Sequence, residues 1–250
     1  MLRFSGLLTA AVLLLQTGSI GAANAQDATV SQTSESRLSG SVDLTFANSY
    51  YFRGVNVFDD VFNLQPSATL GYQPTDLVAA SLNVWAAVPF AQRKVLKPVR
   101  DEIDVTLDVT LTPLDGLSVS AGFILYTVAA ADPFFHTEEI YVAASYDLPA
   151  GFAVGAGIYG DVNEFEGIYF KVGPSWSIDL IENLRFSTEL FYGGAKYAGA
   201  DFASVELGAT GGFSADIGGG VSSSLSAIYN RGLDAETDVY AVMFGTGVAF

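Results

Sequence analysis

The sequence predicts an all-β protein, a transmembrane antiparallel β-barrel of twelve strands that spans residues 37–250. Three observations predict this fold. Apolar and polar residues alternate in twelve segments, most of them near the roughly 9–11 residues that a tilted strand needs to cross a bilayer. Short and long connections alternate between these segments, and the last segment ends on Phe250. Alternation turns one face of each strand to lipid and the other to a polar lumen. A soluble sandwich is the alternative for such a pattern.

Residues 1–25 have the form of a secretory signal peptide. Arg3 precedes the apolar run 7–15, and the small residues Ala23 and Ala25 predict cleavage before Gln26. The run is shorter than the roughly 18–20 apolar residues of a membrane-spanning helix. The polar segment 26–36 lacks periodicity and predicts a flexible tail. We therefore expect export of the chain, followed by a barrel over residues 37–250.

Segment 102–111 shows the alternation most clearly. Its apolar positions are Ile103, Val105, Leu107, Val109 and Leu111, and its polar positions are Glu102, Asp104, Thr106, Asp108 and Thr110. We expect the first set to face lipid and the second to face the lumen. The same pattern marks the other strands, at 38–46, 64–73, 77–88, 117–127, 139–146, 152–160, 168–178, 184–192, 202–213, 220–229 and 238–250.

The connections give independent support for the strand count. Turns rich in Pro, Asp and Gly occur at 73–76, 113–116 and 147–151. Longer links occur at 48–62, 89–101, 128–138, 161–167, 193–201 and 230–237. Outer-membrane barrels join an even number of strands by short periplasmic turns and longer extracellular loops. Twelve strands with both ends in the periplasm give six outer loops and five inner turns.

The last segment resembles the C-terminal signal that the outer-membrane assembly machinery recognises. Its bulky face ends with a terminal aromatic residue and comprises Tyr240, Val242, Phe244, Thr246, Val248 and Phe250. In a closed barrel this strand must pair with segment 38–46. Such a pairing places Phe250 at the periplasmic rim, beside the closing seam.

Aromatic residues predict two girdles at the membrane interfaces. The predicted outer ends carry Tyr50, Phe90, Phe165, Tyr169, Tyr192, Phe202, Tyr229 and Tyr240. The predicted inner ends carry Tyr72, Tyr146, Phe152, Trp176, Phe213 and Phe250. Pro174 does not fit a closed barrel easily, because it has no N–H for the ladder, and we expect a β-bulge there.

Composition excludes several classes of function. Cysteine is absent, so neither a disulfide nor a thiolate metal site can form. Without Arg3, ten basic residues stand against 27 acidic ones, a net charge of −17 that disfavours nucleic acid as a partner. The chain has one histidine and no calcium-loop spacing, so no metal site or cofactor is expected.

One motif resembles a known family. Residues 48–54 read Asn-Ser-Tyr-Tyr-Phe-Arg-Gly, and residues 65–68 read Gln-Pro-Ser-Ala. A Tyr-x-Phe-Arg-Gly stretch after the first strand is similar to that of the Gcw_chp, or TorF-like, porins, small outer-membrane proteins of Gram-negative bacteria. The motif residues are Tyr50, Phe52, Arg53 and Gly54. The resemblance implies an outer-membrane barrel of largely uncharacterised function, without established catalytic residues.

The predicted lumen is acidic. Its charged positions are Asp43, Glu102, Asp104, Asp108, Glu139, Glu189 and Glu206, with Lys171 and Arg185 as the basic ones. Lys171, Glu189 and Glu206 are expected near one another, either as a brace or as part of an ion filter. The leading hypothesis is therefore a small, cation-preferring porin or channel for small solutes. The runner-up is a structural or surface-interaction protein with an occluded lumen, which Tyr141, Tyr159 and Tyr169 favour.

Two further features leave alternatives open. One predicted outer loop carries Arg93, Lys94, Lys97 and Arg100, which could contact lipopolysaccharide, fold into the acidic lumen or stay solvated. A hydrolase is the third functional hypothesis, built on His136. A protease would need carboxylates around it, nominally from Asp59, Asp60, Asp132 and Glu138. A lone histidine in an aromatic loop more often lacks a catalytic role.

Overall fold

The computed structural model describes residues 37–58, 60–91, 99–130, 135–164, 166–197, 203–233 and 237–250. The predicted signal peptide and the tail 26–36 lie outside these residues. The described strands are β1 (Leu38–Ala47), β2 (Tyr51–Phe52), β3 (Val55–Asn56), β4 (Asn63–Thr75), β5 (Val78–Pro89), β6 (Val99–Leu114), β7 (Leu117–Ala130), β8 (Phe135–Asp147), β9 (Phe152–Asp161), β10 (Ile168–Ile181), β11 (Leu184–Lys196), β12 (Ala203–Gly218), β13 (Val221–Gly232) and β14 (Thr237–Ala249).

Twelve of these strands form one closed antiparallel barrel, which confirms the predicted fold class. Each strand pairs with its neighbours in the chain, apart from β2 and β3, which pair with each other. The barrel closes where β1 meets β14, with Val42 opposite Val248 and Phe46 opposite Phe244. The amide of Phe250 donates to the carbonyl of Gly40 at 2.9 Å. The predicted pairing of the last strand with the first is therefore confirmed.

The two faces of the barrel wall differ as the alternation predicts. Outward residues are apolar and exposed, as Val42 shows at 54% exposure. Inward residues of the same strands are small or polar, and several of them are fully buried. Among the described residues, no helix is long and apolar enough to cross a bilayer. The continuous apolar outer surface has the character of a lipid-facing belt.

The connections define two rims. The turn rim holds the start of β1, the end of β14 and the tight turns β4–β5, β6–β7, β8–β9, β10–β11 and β12–β13. The loop rim holds the longer connections. Exposed aromatics line the turn rim at Tyr72, Tyr146, Phe152, Phe213 and Phe250. At the loop rim, Phe90, Tyr229 and Tyr240 are exposed as predicted. Phe165 and Phe202 lie outside the described residues.

Two residues assigned to the outer girdle lie inside the barrel instead. Tyr169 shares the inward face of β10 with Lys171 and is 3% exposed. Tyr50 is buried because the chain turns into the lumen after β1. The alternation of side chains along β10 turns Tyr169 toward the lumen. Its assignment to the outer girdle rested only on its position near the end of the strand and did not take this alternation into account.

The predicted bulge at Pro174 is wrong. The ladder between β9 and β10 runs through Gly173 and Pro174 without a shift. The ladder between β10 and β11 omits these two residues but keeps the same register on both sides. Gly173 explains the continuity, because a Cβ there would lie 1.9 Å from the carbonyl oxygen of Leu190. The missing side chain lets β11 approach closely enough for the register to continue past the proline.

The first connection of the loop rim folds into the lumen. Residues 49–58, here called the plug hairpin, contain β2, β3 and the turn between them. Phe52, Val57 and Phe58 are at most 1% exposed, and they pack in one cluster with Ala87 and Val128 of the wall. Apolar side chains of this size leave water when they enter the barrel, which stabilises the inserted hairpin. The loop-rim half of the lumen is therefore filled.

Candidate functional site

The plug hairpin reverses direction in a two-residue turn formed by Arg53 and Gly54. Both residues have positive φ, +42° for Arg53 and +86° for Gly54. This is the arrangement of a type I′ turn, whose twist matches that of paired strands. A Cβ on Gly54 would lie 2.5 Å from the carbonyl oxygen of Val205, so the tip of the hairpin touches the backbone of β12. Glycine is required here by both conformation and space.

Arg53 spans the lumen and binds the opposite wall. Its Nη1 and Nη2 donate to the two carboxylate oxygens of Glu139 on β8, at 2.7 and 2.8 Å. The phenol of Tyr126 donates to the same carboxylate at 2.8 Å. The guanidinium lies 4.1 Å from the ring centre of Tyr169 and 5.2 Å from that of Tyr159. Arg53 therefore occupies a buried site with one carboxylate and an aromatic wall.

The charge of Arg53 is retained in this environment. Burial lowers the pKa of the guanidinium, but the negative charge of Glu139 beside it raises the pKa, and the net shift is upward. Both side chains of the ion pair are almost fully buried. A bidentate pair of this kind is among the strongest polar contacts in proteins. Removal of either residue leaves the other as an unpaired buried charge, which is costly.

A second polar contact fixes the hairpin to β12. The phenol of Tyr51 donates to Glu206 at 2.8 Å, and Asn230 donates to the same oxygen at 2.8 Å. The phenol of Tyr169 donates to the other oxygen of this carboxylate. Three donors satisfy Glu206 without a basic residue. The hairpin is thus held at two points of the wall, one on β8 and one on β12.

Behind the hairpin lie two carboxylates without such donors. Glu102 and Asp104 point inward from β6 and are 0% and 1% exposed. None of their four carboxylate oxygens has a hydrogen-bond partner among the described residues. Tyr50 packs on their side of the lumen, with ring centres 5.0 Å from Phe58 and 5.4 Å from Trp85. The hairpin therefore covers an acidic stretch of wall.

The remaining predicted lumen residues form smaller groups. Lys171 pairs with Glu189 at 3.1 Å, and its ammonium lies 4.2 Å from the ring centre of Phe191. Glu206 lies in the same row two strands away, but its carboxylate belongs to the Tyr51 contact. Asp108 accepts from Tyr141 at 2.5 Å.

The turn-rim half of the lumen differs from the plugged half. Asp43 accepts from Ser41 at 3.1 Å and lies beside Gly247, in a shallow recess lined by Thr45, Ser222, Ser224 and Gly245. Arg185 pairs with Asp179 at 2.7 Å, and both side chains reach solvent. Small hydroxyl and glycine residues line this recess, which the plug hairpin does not reach.

The described residues proposed for hydrolysis form no hydrogen bond or ion pair with one another. His136 lies in β8 rather than in a loop, opposite Thr127 of β7. It is exposed, and its neighbour Thr137 is buried on the inward face, so His136 points outward. Among the described residues it has no carboxylate partner; Asp59 and Asp132 lie outside them. The side chains of Arg93, Lys94, Lys97 and Arg100 also lie outside the described part, although the backbone of Arg100 belongs to β6.

The motif Tyr50, Phe52, Arg53 and Gly54 lies in the plug hairpin, a position that the sequence alone did not predict. Tyr51, Tyr126 and the ion pair of Arg53 were missed as site residues. One available signal was the composition of the link 48–62, which contains six large apolar residues within 50–58. A solvated surface loop has no use for so many apolar side chains, because they gain stability only by leaving water.

Comparisons with known proteins give the fold. No protein-family model and no curated protein sequence matches this chain. The structure is similar to a KdgM porin, with a TM-score of 0.55, 10% identity, and 84% of this chain and 99% of that chain covered. For LpxR from Salmonella typhimurium the TM-score is 0.54 at 10% identity, with 83% and 99% covered.

A third solved structure with a similar barrel is an outer membrane channel. For the COG4313 outer membrane channel from Pseudomonas putida F1 the TM-score is 0.51 at 11% identity, with 85% and 95% covered. The resemblance to the TorF-like porins stays a prediction. Similarity at this level of identity concerns architecture, and this chain has the fold of small twelve-stranded outer-membrane barrels.

Proposed function

We propose that this protein is an outer-membrane channel for small cationic solutes, closed at rest by the plug hairpin. The loop rim then faces the cell exterior and the turn rim faces the periplasm. The apolar belt and the aromatic rims support insertion in a membrane. The bulky face of β14, which ends at Phe250, is the segment that the assembly machinery would recognise.

The observation that carries the proposal is the charge balance of the lumen. Its described inward cations are Arg53, Lys171 and Arg185, and each is paired with a carboxylate. Further inward carboxylates have no cationic partner among the described side chains; they are Asp43, Asp108 and Glu206. The net field along the lumen is therefore negative, and a charged wall in a narrow pore selects ions by sign.

Planar-bilayer recording tests this function directly. The refolded chain is compared with a variant in which residues 49–58 are replaced by a short Gly/Ser linker. We expect small or rare conductance steps from the wild type and larger, longer ones from the variant. In a salt gradient the reversal potential should show cation preference. A variant that never conducts contradicts the channel, and anion preference contradicts the role of the acidic wall.

A structural or surface-interaction protein with a closed lumen is the second candidate. The complete burial of Phe58 and Val57 in the plug hairpin favours it, because this packing leaves the loop-rim half filled. The same recordings separate the two functions. A wild-type protein that stays silent under every ionic condition and voltage, next to a conducting linker variant, supports the closed alternative.

The basic loop supplies a proposed contact with the outer leaflet. Arg93, Lys94, Lys97 and Arg100 provide four cations in eight residues at the loop rim. Guanidinium and ammonium groups bind phosphate by charge-assisted hydrogen bonds. Co-sedimentation with lipopolysaccharide vesicles should fall when all four are changed to Gln. Unchanged co-sedimentation contradicts the contact.

We assign no hydrolytic reaction to this chain. His136 points away from the lumen and has no carboxylate within the described residues to orient it. General-base catalysis needs a histidine within hydrogen-bond reach of its partner and of the substrate. Replacing His136 should therefore leave every measured property of the protein unchanged, and loss of a hydrolytic activity in that variant would contradict this assignment.

A further inference from the structure

The wall around Arg53 has the chemistry of a receptor for an organic cation. Its four residues, Glu139, Tyr126, Tyr159 and Tyr169, are here called the guanidinium site. Glu139 offers two carboxylate oxygens to a planar fork of N–H donors. The rings of Tyr159 and Tyr169 lie within 6 Å of the cation, the range in which ring faces attract positive charge.

This site belongs to the barrel and does not depend on its occupant. Tyr126, Glu139, Tyr159 and Tyr169 lie on four consecutive strands, β7 to β10. The hydrogen bond from Tyr126 orients the carboxylate from within the wall. Tyr159 packs between Tyr141 and Tyr169, with ring-centre distances of 5.3 and 5.8 Å. The receptor geometry therefore persists when the plug hairpin leaves.

The present occupant is a tethered and imperfect ligand. Arg53 reaches the site only with φ at +42°, a left-handed conformation that costs an ordinary residue free energy. Its Nε has no acceptor among the described residues. A free solute with the same head group has no such backbone constraint. Arg53 thus marks the chemistry of the site without being the best ligand for it.

We propose that the guanidinium site is a solute-binding site, in which small organic cations with a guanidinium or alkylammonium group compete with Arg53 and release the plug hairpin. The inference rests on the proposed channel function and names its solute class. Weakly hydrated organic cations suit the aromatic rings, whereas small inorganic cations hold their water more strongly. Anions are disfavoured by Glu139 and by the neighbouring Glu206.

Competition has a measurable consequence. A site that is free for only a fraction of the time binds its ligand with an affinity reduced by that fraction. Arg53→Gln removes the internal competitor and keeps every residue of the guanidinium site. The variant should therefore bind a free guanidinium compound at least tenfold more tightly than the wild type. Glu139→Gln removes the carboxylate and should abolish this gain.

Equilibrium dialysis with radiolabelled methylguanidinium tests the site without relying on conductance. The refolded full chain is compared with Arg53→Gln, Glu139→Gln and the double variant, with folding checked by heat-modifiable mobility on gels. Arg185→Gln is the matched control, since it removes an arginine whose partner Asp179 lies in solvent. Its binding should equal that of the wild type. If Arg53→Gln does not fold, Arg53→Lys replaces it and should bind at least threefold more tightly than the wild type.

The outcomes separate this inference from the channel function. Equal affinity in the wild type and in Arg53→Gln, or full binding in the double variant, overturns the solute site. Tight binding by Arg53→Gln in a protein that never conducts supports the site and contradicts the channel. Conductance that is cation-selective but indifferent to methylguanidinium supports the channel and contradicts the site.

Discussion

Gly54→Ala is a sharp test of how the plug hairpin is held. The new Cβ would lie 2.5 Å from the carbonyl oxygen of Val205, whereas ordinary contacts begin at 3.4 Å. That oxygen is fixed, because it accepts the amide of Leu233 at 2.9 Å. The tip of the hairpin must therefore move by about 0.9 Å, the difference between these two distances.

Such a shift distorts the contact at the other side of the tip. The bonds from Arg53 to Glu139 measure 2.7 and 2.8 Å, so a displacement of about 0.9 Å, toward Glu139 or away from it, takes them outside the hydrogen-bond range. Loss of a hydrogen bond to a charged group costs about 1.5–3 kcal/mol. Alanine at positive φ adds roughly 1–2 kcal/mol. Together the inserted state loses about 2.5–5 kcal/mol, a factor of roughly 10² to 5 × 10³ in its population.

Tryptophan quenching reports the position of the hairpin. Trp176→Phe leaves Trp85 as the remaining tryptophan, and Trp85 packs on Tyr50 of the hairpin. Acrylamide should quench Trp85 more strongly after Gly54→Ala, and open events in bilayers should become more frequent. Gly218→Ala is the matched control, because Gly218 has φ +95° but no atom within 4 Å of its ideal Cβ. Equal quenching in both variants refutes the proposed contact.

Three further predictions concern the wall. Deletion of Phe250 should reduce assembly of the barrel, because it removes two backbone hydrogen bonds to Gly40. The protein that still inserts should keep its ion selectivity, and a changed reversal potential contradicts this prediction. Glu102→Gln with Asp104→Asn should raise the free energy of unfolding by about 1–2 kcal/mol, because it replaces two buried carboxyl groups whose oxygens have no hydrogen-bond partner among the described residues. The measurement is urea unfolding, with Asp43→Asn as the control, and a lower midpoint contradicts the prediction. Gly208→Val should cost about 1–3 kcal/mol in the same assay, since its side chain would displace the ring of Phe191, and an unchanged midpoint contradicts it.

Local pattern was sufficient to predict the barrel wall. A strand exposed to lipid on one face and to a lumen on the other must alternate, so segments such as 102–111 reveal both strand and face. Turn chemistry gave the strand ends to within a few residues at the turn rim. The pairing of β14 with β1 followed from closure alone. These features depend on neighbours in the sequence, and for that reason sequence reasoning reached them.

The plug hairpin depends on contacts between distant residues. Arg53 and Glu139 are 86 residues apart, and Tyr51 and Glu206 are 155 apart. The alternation predicted an inward Glu139, but nothing local named a loop residue as its partner. His136 shows a related difficulty, because the long link 128–138 concealed the first residues of β8. Strand length beyond the membrane is set by pairing, which a single segment does not reveal.

Closure and selectivity draw on the same carboxylates. Glu139 is neutralised by Arg53 while the plug hairpin is inserted, and Glu206 is occupied by Tyr51. When the hairpin leaves, it removes one buried positive charge and exposes both carboxylates to the lumen. Opening therefore makes the lumen more negative at the level of these two carboxylates, where a fixed charge acts on a passing ion. The open state should prefer cations more strongly than the closed one. In a salt gradient the reversal potential of Gly54→Ala should lie closer than that of the wild type to the value of a perfectly cation-selective pore. A shift in the opposite direction would show that other charges control selectivity.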